Sequence, residues 1–401
     1  MKKLLLIAAM AAMAIGASAE DYNFEKVWEL TPSSIGLDVA QTRQGFGMNG
    51  KFYINDKAAM TIYEVDENGM TGVTFEGGAN CGITRDEAGN ILVSNAAFPG
   101  SWIEATIKVI NPTTGETKEY IVPEECGLMG RCDFLGFAKG DFMESGVLYL
   151  TGKTPGTELY TPGIAVFTVG NGEHSDTDGE VDYDYCYLAT CEGISDAQRD
   201  NMTVMNYYTD VNGDPAVLYV YRSMSNYVKK MAYDGDNFTG TNIALPGKGA
   251  CNGTFPFVFD GKEFFLYPRT PNYLNAFAIA EANAEEPLID VEATIAASGN
   301  GYQSNWLNAE VNGNVVTIYQ YSPGNNITVY QLSKESVNPS MRGDVDMDGT
   351  VGIADVTALI DYILTGDETD KDLIAANCDG DDTIGIADVT AIIDFILNKV
   401  W

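Results

Sequence analysis

The residues best suited to chemistry lie near the C-terminal end of the 401-residue chain. Asp344, Asp346 and Asp348 alternate along the sequence, Gly349 and Thr350 follow, and Asp355 comes shortly after. Counting Asp344 as position 1, oxygens fall at positions 1, 3, 5, 7 and 12, with a glycine at 6. This is the spacing by which a loop curls around calcium, a hard cation that takes six to eight oxygens. The three carboxylates converge, the backbone carbonyl of Thr350 adds an oxygen, and Asp355 closes the shell. Gly352 at position 9 offers no side chain, so water takes that place. A second run, Asn377, Asp379, Asp381, Thr383 and Asp388, repeats the pattern. There Asn377 keeps an oxygen but loses a charge, and Asp382 replaces the turn glycine. Two calcium ions are expected, the second held more weakly.

Residues 350–364 and 383–397 match at twelve of fifteen positions at an offset of 33, which marks a duplicated unit. After each loop, apolar residues fall at helical spacing: Val356, Leu359, Ile360 and Ile363, then Val389, Ile392, Ile393 and Ile396. Two such helices can bury these faces only against each other. Without metal the clustered carboxylates repel, so ion binding and folding are expected to be coupled.

An aspartate at position 12, a helix after each loop, no helical run leading into it, and a second copy close behind: residues 343–399 resemble a type I dockerin. The IADV-type repeat is most like the variants of Bacteroidetes. The resemblance implies a calcium-dependent docking module on a protein linked to polysaccharide processing. It implies a cohesin-like or other cell-surface protein as partner. In that family positions 10 and 11 touch the partner, and here they are Ile353 and Ala354, then Ile386 and Ala387.

The other end of the chain reads as an export signal. Lys2 and Lys3 precede an apolar run to Ile15, and Ala17-Ser18-Ala19 offers a cleavage site after Ala19. The run is too short to span a membrane, and no later stretch is long enough. The expectation is a secreted protein, extracellular or periplasmic. A net charge of −34 repels phosphate backbones, which argues against nucleic acid as a partner. Seven cysteines, an odd and sparse set, do not make a disulfide scaffold. The single histidine, His174, lies in an acidic stretch that reads as a solvated loop, and it excludes multi-histidine zinc sites.

Between these ends the chain is all-β. Residues 20–332 form the large domain, 333–342 a polar linker, and 343–401 the small α-helical calcium-binding, dockerin-like domain. Strands rich in tyrosine or leucine recur at 51–54, 90–93, 147–150, 217–220, 263–266 and 315–318, each after a turn such as Asn49-Gly50 or Asp260-Gly261. Third strands follow at 61–65, 106–110, 164–169, 228–233, 276–280 and 327–332. Outer strands follow at 73–76, 118–122, 183–188, 242–245 and 288–291. Only the sixth unit lacks one, and the alternating stretch 24–30 can supply it and close a ring. The expected fold is therefore mainly β, a six-bladed β-propeller, with a β-sandwich or β-helix as the alternative. Its general look loosely resembles NHL-type and gluconolactonase-like propellers.

In such a ring the innermost strands line an axial channel. Arg43, Asn80, Arg131, Asp133, Asn201, Asn252 and Asn305 stand near the starts of these strands, with Arg269 and Trp306 at the rim. They are candidates for binding a polar ligand such as a carbohydrate. A catalytic propeller, a carbohydrate lyase, lactonase or glycosidase, is the alternative. Asp133, Asp200, Asn252 and Asn305 could then hold a metal, but no acid–base pair or nucleophile motif stands out.

Overall fold

The computed structural model describes residues 22–78, 82–94, 105–122, 135–150, 163–170, 185–192, 204–220, 227–249, 253–269, 275–293, 305–334, 342–369, 371–379, 381 and 383–398. Residues 1–19, expected as an export signal, and His174 lie outside them. The chain divides into two compact units, Phe24–Leu332 and Ser333–Trp401.

The larger unit is a six-bladed β-propeller. Strand β1 (Tyr22–Leu30) comes first. Blade 1 is β2 (Thr42–Met48), β3 (Lys51–Asp56), β4 (Thr61–Asp66) and β5 (Gly69–Glu76). Blade 2 is β6 (Ile83–Arg85), β7 (Ile91–Ser94), β8 (Ala105–Ile110) and β9 (Thr117–Val122). Blade 3 is β10 (Lys139–Asp141), β11 (Ser145–Leu150), β12 (Gly163–Val169) and β13 (Tyr185–Glu192). Blade 4 is β14 (Val204–Thr209), β15 (Pro215–Val220), β16 (Tyr227–Tyr233) and β17 (Asn237–Ala244). Blade 5 is β18 (Phe255–Phe259), β19 (Lys262–Pro268), β20 (Phe277–Glu281) and β21 (Ile289–Val291). Blade 6 is β22 (Trp306–Asn312), β23 (Val315–Ser322) and β24 (Asn326–Lys334).

Its four-stranded sheet has the order β1-β24-β23-β22, so the N-terminal strand closes the ring, as the unassigned stretch at 24–30 suggested. There the Phe24 ring stacks on Tyr330 at 5.3 Å. Tight antiparallel hairpins join first and second strands. Asn49-Gly50 and Asp260-Gly261 both take positive φ at the two turn positions, as a two-residue turn that matches the strand twist requires.

Each blade buries both faces, which explains why the second strands read as nearly unbroken apolar runs. Tyr53 packs with Ile83, Ile91 and Val93 of the next blade. Its neighbours Phe52 and Ile54 point the other way, into a core shared with Tyr319 and Tyr321 of blade 6. Leu92 and Val109 meet Phe142 and Leu148, and Ile164 and Val166 meet Met205 and Val217. One feature was not foreseen. The outer strands β13 and β17 pair in parallel, Thr190 opposite Asn237, and join blades 3 and 4 into one eight-stranded sheet.

The smaller unit contains α1 (Ile353–Thr365), a single turn α2 (Leu373–Ala376) and α3 (Ile386–Asn398). Its core is Val345, Val356, Leu359, Ala376, Cys378, Val389 and Ile392. Ile360 and Ile393, expected in the buried faces, are instead exposed, because Val356 with Leu359 and Val389 with Ile392 already fill the narrow seam. Helix α2 leads directly into the second loop, where no entering helix was expected.

The ring closure gives a test. A chain lacking residues 22–30 leaves β24 as a bare edge, and such edges recruit other strands. It should self-associate in size-exclusion chromatography with light scattering and melt lower. A monomer with the parent melting temperature would contradict the closure.

Candidate functional site

The first carboxylate loop is built by short-range hydrogen bonds. Gly349 takes φ +86°, the turn its position demands, and Met347 also has positive φ. Asp344 Oδ2 accepts the Gly349 N–H at 3.0 Å, and Asp346 Oδ1 accepts that of Asp348 at 3.2 Å. Asp348 Oδ1 accepts both the N–H and the hydroxyl of Thr350, at 2.8 and 2.7 Å. Carboxylate oxygens of Asp344, Asp346 and Asp348 lie within 4.8 Å of one another. Burial, and beyond it the charges of Asp355, Asp348 and Asp344, push the Asp346 carboxyl up.

Asp355 plays a different part from its three neighbours. It is buried, and its Oδ1 accepts the N–H groups of Val345 and Asp346 at 2.6 and 3.1 Å. Its Oδ2 accepts that of Gly352 at 2.7 Å. A carboxylate has about four acceptor positions, so three are used and Asp355 can offer a cation one oxygen rather than two. Asp388 repeats this at 2.6, 3.0 and 2.8 Å with Cys378, Asp379 and Gly385. These aspartates tie each loop to the start of its helix.

Asp344 carries the clearest signal. Its side chain is 2% exposed, yet Oδ1 has no hydrogen-bond partner. A buried carboxylate oxygen without a partner is costly, and a cation at that point would relieve the cost. The donors are all oxygen, as calcium prefers. In the second loop Asn377 is less buried, and its side-chain nitrogen donates to the Asp381 carbonyl. Asp379 and Asp381 are exposed, and Thr383 donates to Asp381 as Thr350 does to Asp348. Asp382 lies outside the described residues.

The docking candidates stand in the open. Ile353 is 73% and Ile386 67% exposed, with Ala354 and Ala387 beside them. Ile360 and Leu364 extend the first into a stripe, and Ile393 and Leu397 the second.

On the propeller axis a cavity of about 40 Å³ is lined from all six blades. Of the channel candidates, Asn80, Arg131, Asp133, Asn201 and Asn252 lie outside the described residues. Trp306 lines the cavity and donates from its indole N–H to the Arg43 carbonyl at 2.9 Å. Asn305 is buried, donating to Ala276 O and accepting from Gln320. Arg269 bridges Pro246 O and Asp290, tying blade 5 together away from the cavity lining.

Residues further along the inner strands matter more at the axis, and sequence reasoning missed them. Asn308 pairs with the backbone of blade 1, accepting the Gly47 N–H at 2.8 Å and donating to the Gly47 carbonyl at 2.7 Å. Asn206 accepts the Phe137 N–H and donates to Thr254 O, spanning blades 3, 4 and 5. Gln44, next to the candidate Arg43 and readable with it as the start of an inner strand, accepts the Ile83 N–H from blade 2. Gly47 permits this closeness, since a Cβ there would lie 1.9 Å from the Tyr319 ring. Arg85 enters the cavity with its guanidinium 4.8 Å over the Phe137 ring. An amide inside an otherwise buried strand, as in Trp306-Leu-Asn308 and Val204-Met-Asn206, was the available signal.

No protein family and no curated protein sequence matches the chain. Among solved structures it is similar to a streptogramin B lyase, with 11% identity and TM-score 0.38 over 79% of this chain and 99% of that one. A mutant of AofleA from Arthrobotrys oligospora gives 8% identity and TM-score 0.45 over 77% and 87%. Hydrazine synthase of Kuenenia stuttgartiensis gives 12% and 0.38 over 70% and 80%. At these values none of them bears on function, and the six blades follow from the strand pairing itself.

The inter-blade amides are testable. Asn308→Leu leaves the Gly47 N–H and C=O without partners, at about 1–3 kcal/mol each. Urea unfolding should show that loss. A change under about 0.5 kcal/mol, the range of an ordinary surface substitution, would contradict the role.

Proposed function

We propose that this is a secreted extracellular protein in which a propeller binding domain is joined to a calcium-dependent, dockerin-like docking module, in the service of polysaccharide processing. The observation that carries the reading is the unpartnered, buried Oδ1 of Asp344 beside the carboxylates of Asp346 and Asp348. Calcium supplies the positive charge these oxygens lack. Asp344, Asp346 and Asp348, with the Thr350 carbonyl and one oxygen of Asp355, would hold the first ion. Asn377, Asp379, Asp381, Thr383 and Asp388 would hold the second with less charge.

Metal binding then fixes the loop that starts each helix, and the helices present Ile353, Ala354, Ile386 and Ala387. The exposed stripes they begin suit a cohesin-like or other cell-surface partner that covers apolar side chains. A carbohydrate is the ligand class this setting suggests for the propeller. The alternative of a propeller enzyme would draw on Asp133 and Asp200, outside the described residues.

Chelator-treated mature protein should take up two calcium ions in isothermal titration, one more tightly than the other. With calcium at 100 times Kd the module gains about 2.7 kcal/mol. Asp344→Ala should remove the tighter ion, while Asn377→Ala should weaken only the other. Absence of binding, or unchanged stoichiometry in Asp344→Ala, would overturn the reading.

A further inference from the structure

The two loops of the small unit are tied to each other as well as to their own helices. The ties meet at the second position of each loop, Val345 and Cys378, which correspond at the offset of 33. Both residues are fully buried in the core of the unit. The Val345 carbonyl accepts the N–H of Asp372, the residue that caps α2 ahead of the second loop, at 2.9 Å. The Cys378 carbonyl accepts from the guanidinium of Arg342, which lies just ahead of the first loop. There Nε stands at 3.1 Å and Nη2 also donates. Between these ties the Gly343 N–H donates to the Ala375 carbonyl at 2.9 Å. Each loop is thus held by the chain that leads into the other.

The two ties differ in kind. The first runs backbone to backbone, whereas the second hangs on one side chain. A guanidinium presents its N–H groups in a fixed fork, so two of them on one carbonyl set its direction as well as its distance. The peptide they hold joins Cys378 to Asp379, whose N–H donates to Asp388 Oδ1 at 3.0 Å. That peptide is therefore gripped from both sides, by Arg342 at its carbonyl and by Asp388 at its N–H. Asn377 and Asp379, positions 1 and 3 of the second loop, lie directly around it.

Arg342 also stands two residues before Asp344, whose Oδ1 is the bare oxygen of the first loop. An ion at that oxygen would fix the backbone back through Gly343, already bonded to Ala375. A side chain whose base is fixed loses less freedom when it grips a carbonyl. The ligands of the second loop are then held closer to the geometry an ion needs. Groups that orient the ligands of a metal change its affinity about 10–100-fold.

We propose that Arg342 couples the two calcium sites, so that filling the first loop tightens the second. This rests on the reading of the loops as calcium sites and goes beyond it, because the ligand set alone would leave the two independent. Coupling between sites is reciprocal. The first loop fills while the second is still empty, however, so the effect is seen at the second ion.

The test is isothermal calcium titration of the full chain, freed of metal by chelator, as the parent, Arg342→Gln, Asp344→Ala and the double variant. Arg342→Gln should leave the tighter ion unchanged and weaken the second about tenfold. Asp344→Ala, which empties the first loop, should weaken the remaining ion by the same factor. The double variant should bind that ion no more weakly than either single variant, the non-additivity that marks a shared interaction. Arg342→Lys keeps a charged donor without the fork and should recover part of the loss, which separates positioning from misfolding. Equal weakening of both ions by Arg342→Gln would make the residue merely structural and overturn the proposal. So would an unchanged second ion, or losses that multiply in the double variant. A parent chain that bound no calcium would remove the calcium reading itself and the coupling with it.

Discussion

The innermost strand of each blade pairs along one edge only. Its other row of N–H and C=O groups faces a neighbouring blade or the axis, where little water reaches. Buried backbone groups without partners are costly, so a propeller must satisfy them across blade boundaries. Here side-chain amides do so. A carboxamide carries one donor group and one acceptor, like a peptide unit, and so can pair with a strand edge as another strand would. Asn308 meets both groups of Gly47, and Asn206 joins the backbones of Phe137 and Thr254. The polar character of the inner strands is therefore largely structural.

The same demand organises the small unit. Asp355 and Asp388 each collect three backbone N–H groups and so fix the path of their loops before any ion is considered. The two sets of bonds repeat at the offset of 33 seen in the sequence. Symmetry breaks at position 1. Asp344 is buried and leaves an oxygen bare, whereas Asn377 turns its amide nitrogen to the Asp381 carbonyl and satisfies itself within the loop. A carboxylate cannot make that internal bond, because it has no hydrogen to give. A cation would therefore relieve more at the first loop than at the second.

Much of this was legible beforehand. Alternating apolar runs between Asn-Gly and Asp-Gly turns located the strands, and the leftover stretch at 24–30 located the closing strand. The start of β17 at Asn237, ahead of the expected 242, and its parallel pairing with β13 were not legible, since pairing between blades leaves no periodic mark. The axis was read too near the strand starts. Arg85 and Asn206 sit five residues beyond the candidates Asn80 and Asn201, and Asn308 three beyond Asn305, and their roles depend on which neighbouring backbone the ring brings opposite them. Ile360 and Ile393 fit the helical period of the core, but the seam between two short helices is narrower than the apolar stripe.

The propeller has satisfied nearly all the polar atoms described near its axis, and the module has left Asp344 Oδ1 bare. The proposed calcium would sit at that oxygen. Diffraction at long wavelength from crystals of the protein grown in calcium would locate it. An anomalous peak is expected about 2.3–2.6 Å from Asp344 Oδ1, a calcium–oxygen distance, with Asp346 and Asp348 also in contact. A hydrogen-bond donor or a water at that position, with no anomalous signal in calcium-saturated crystals, would contradict it.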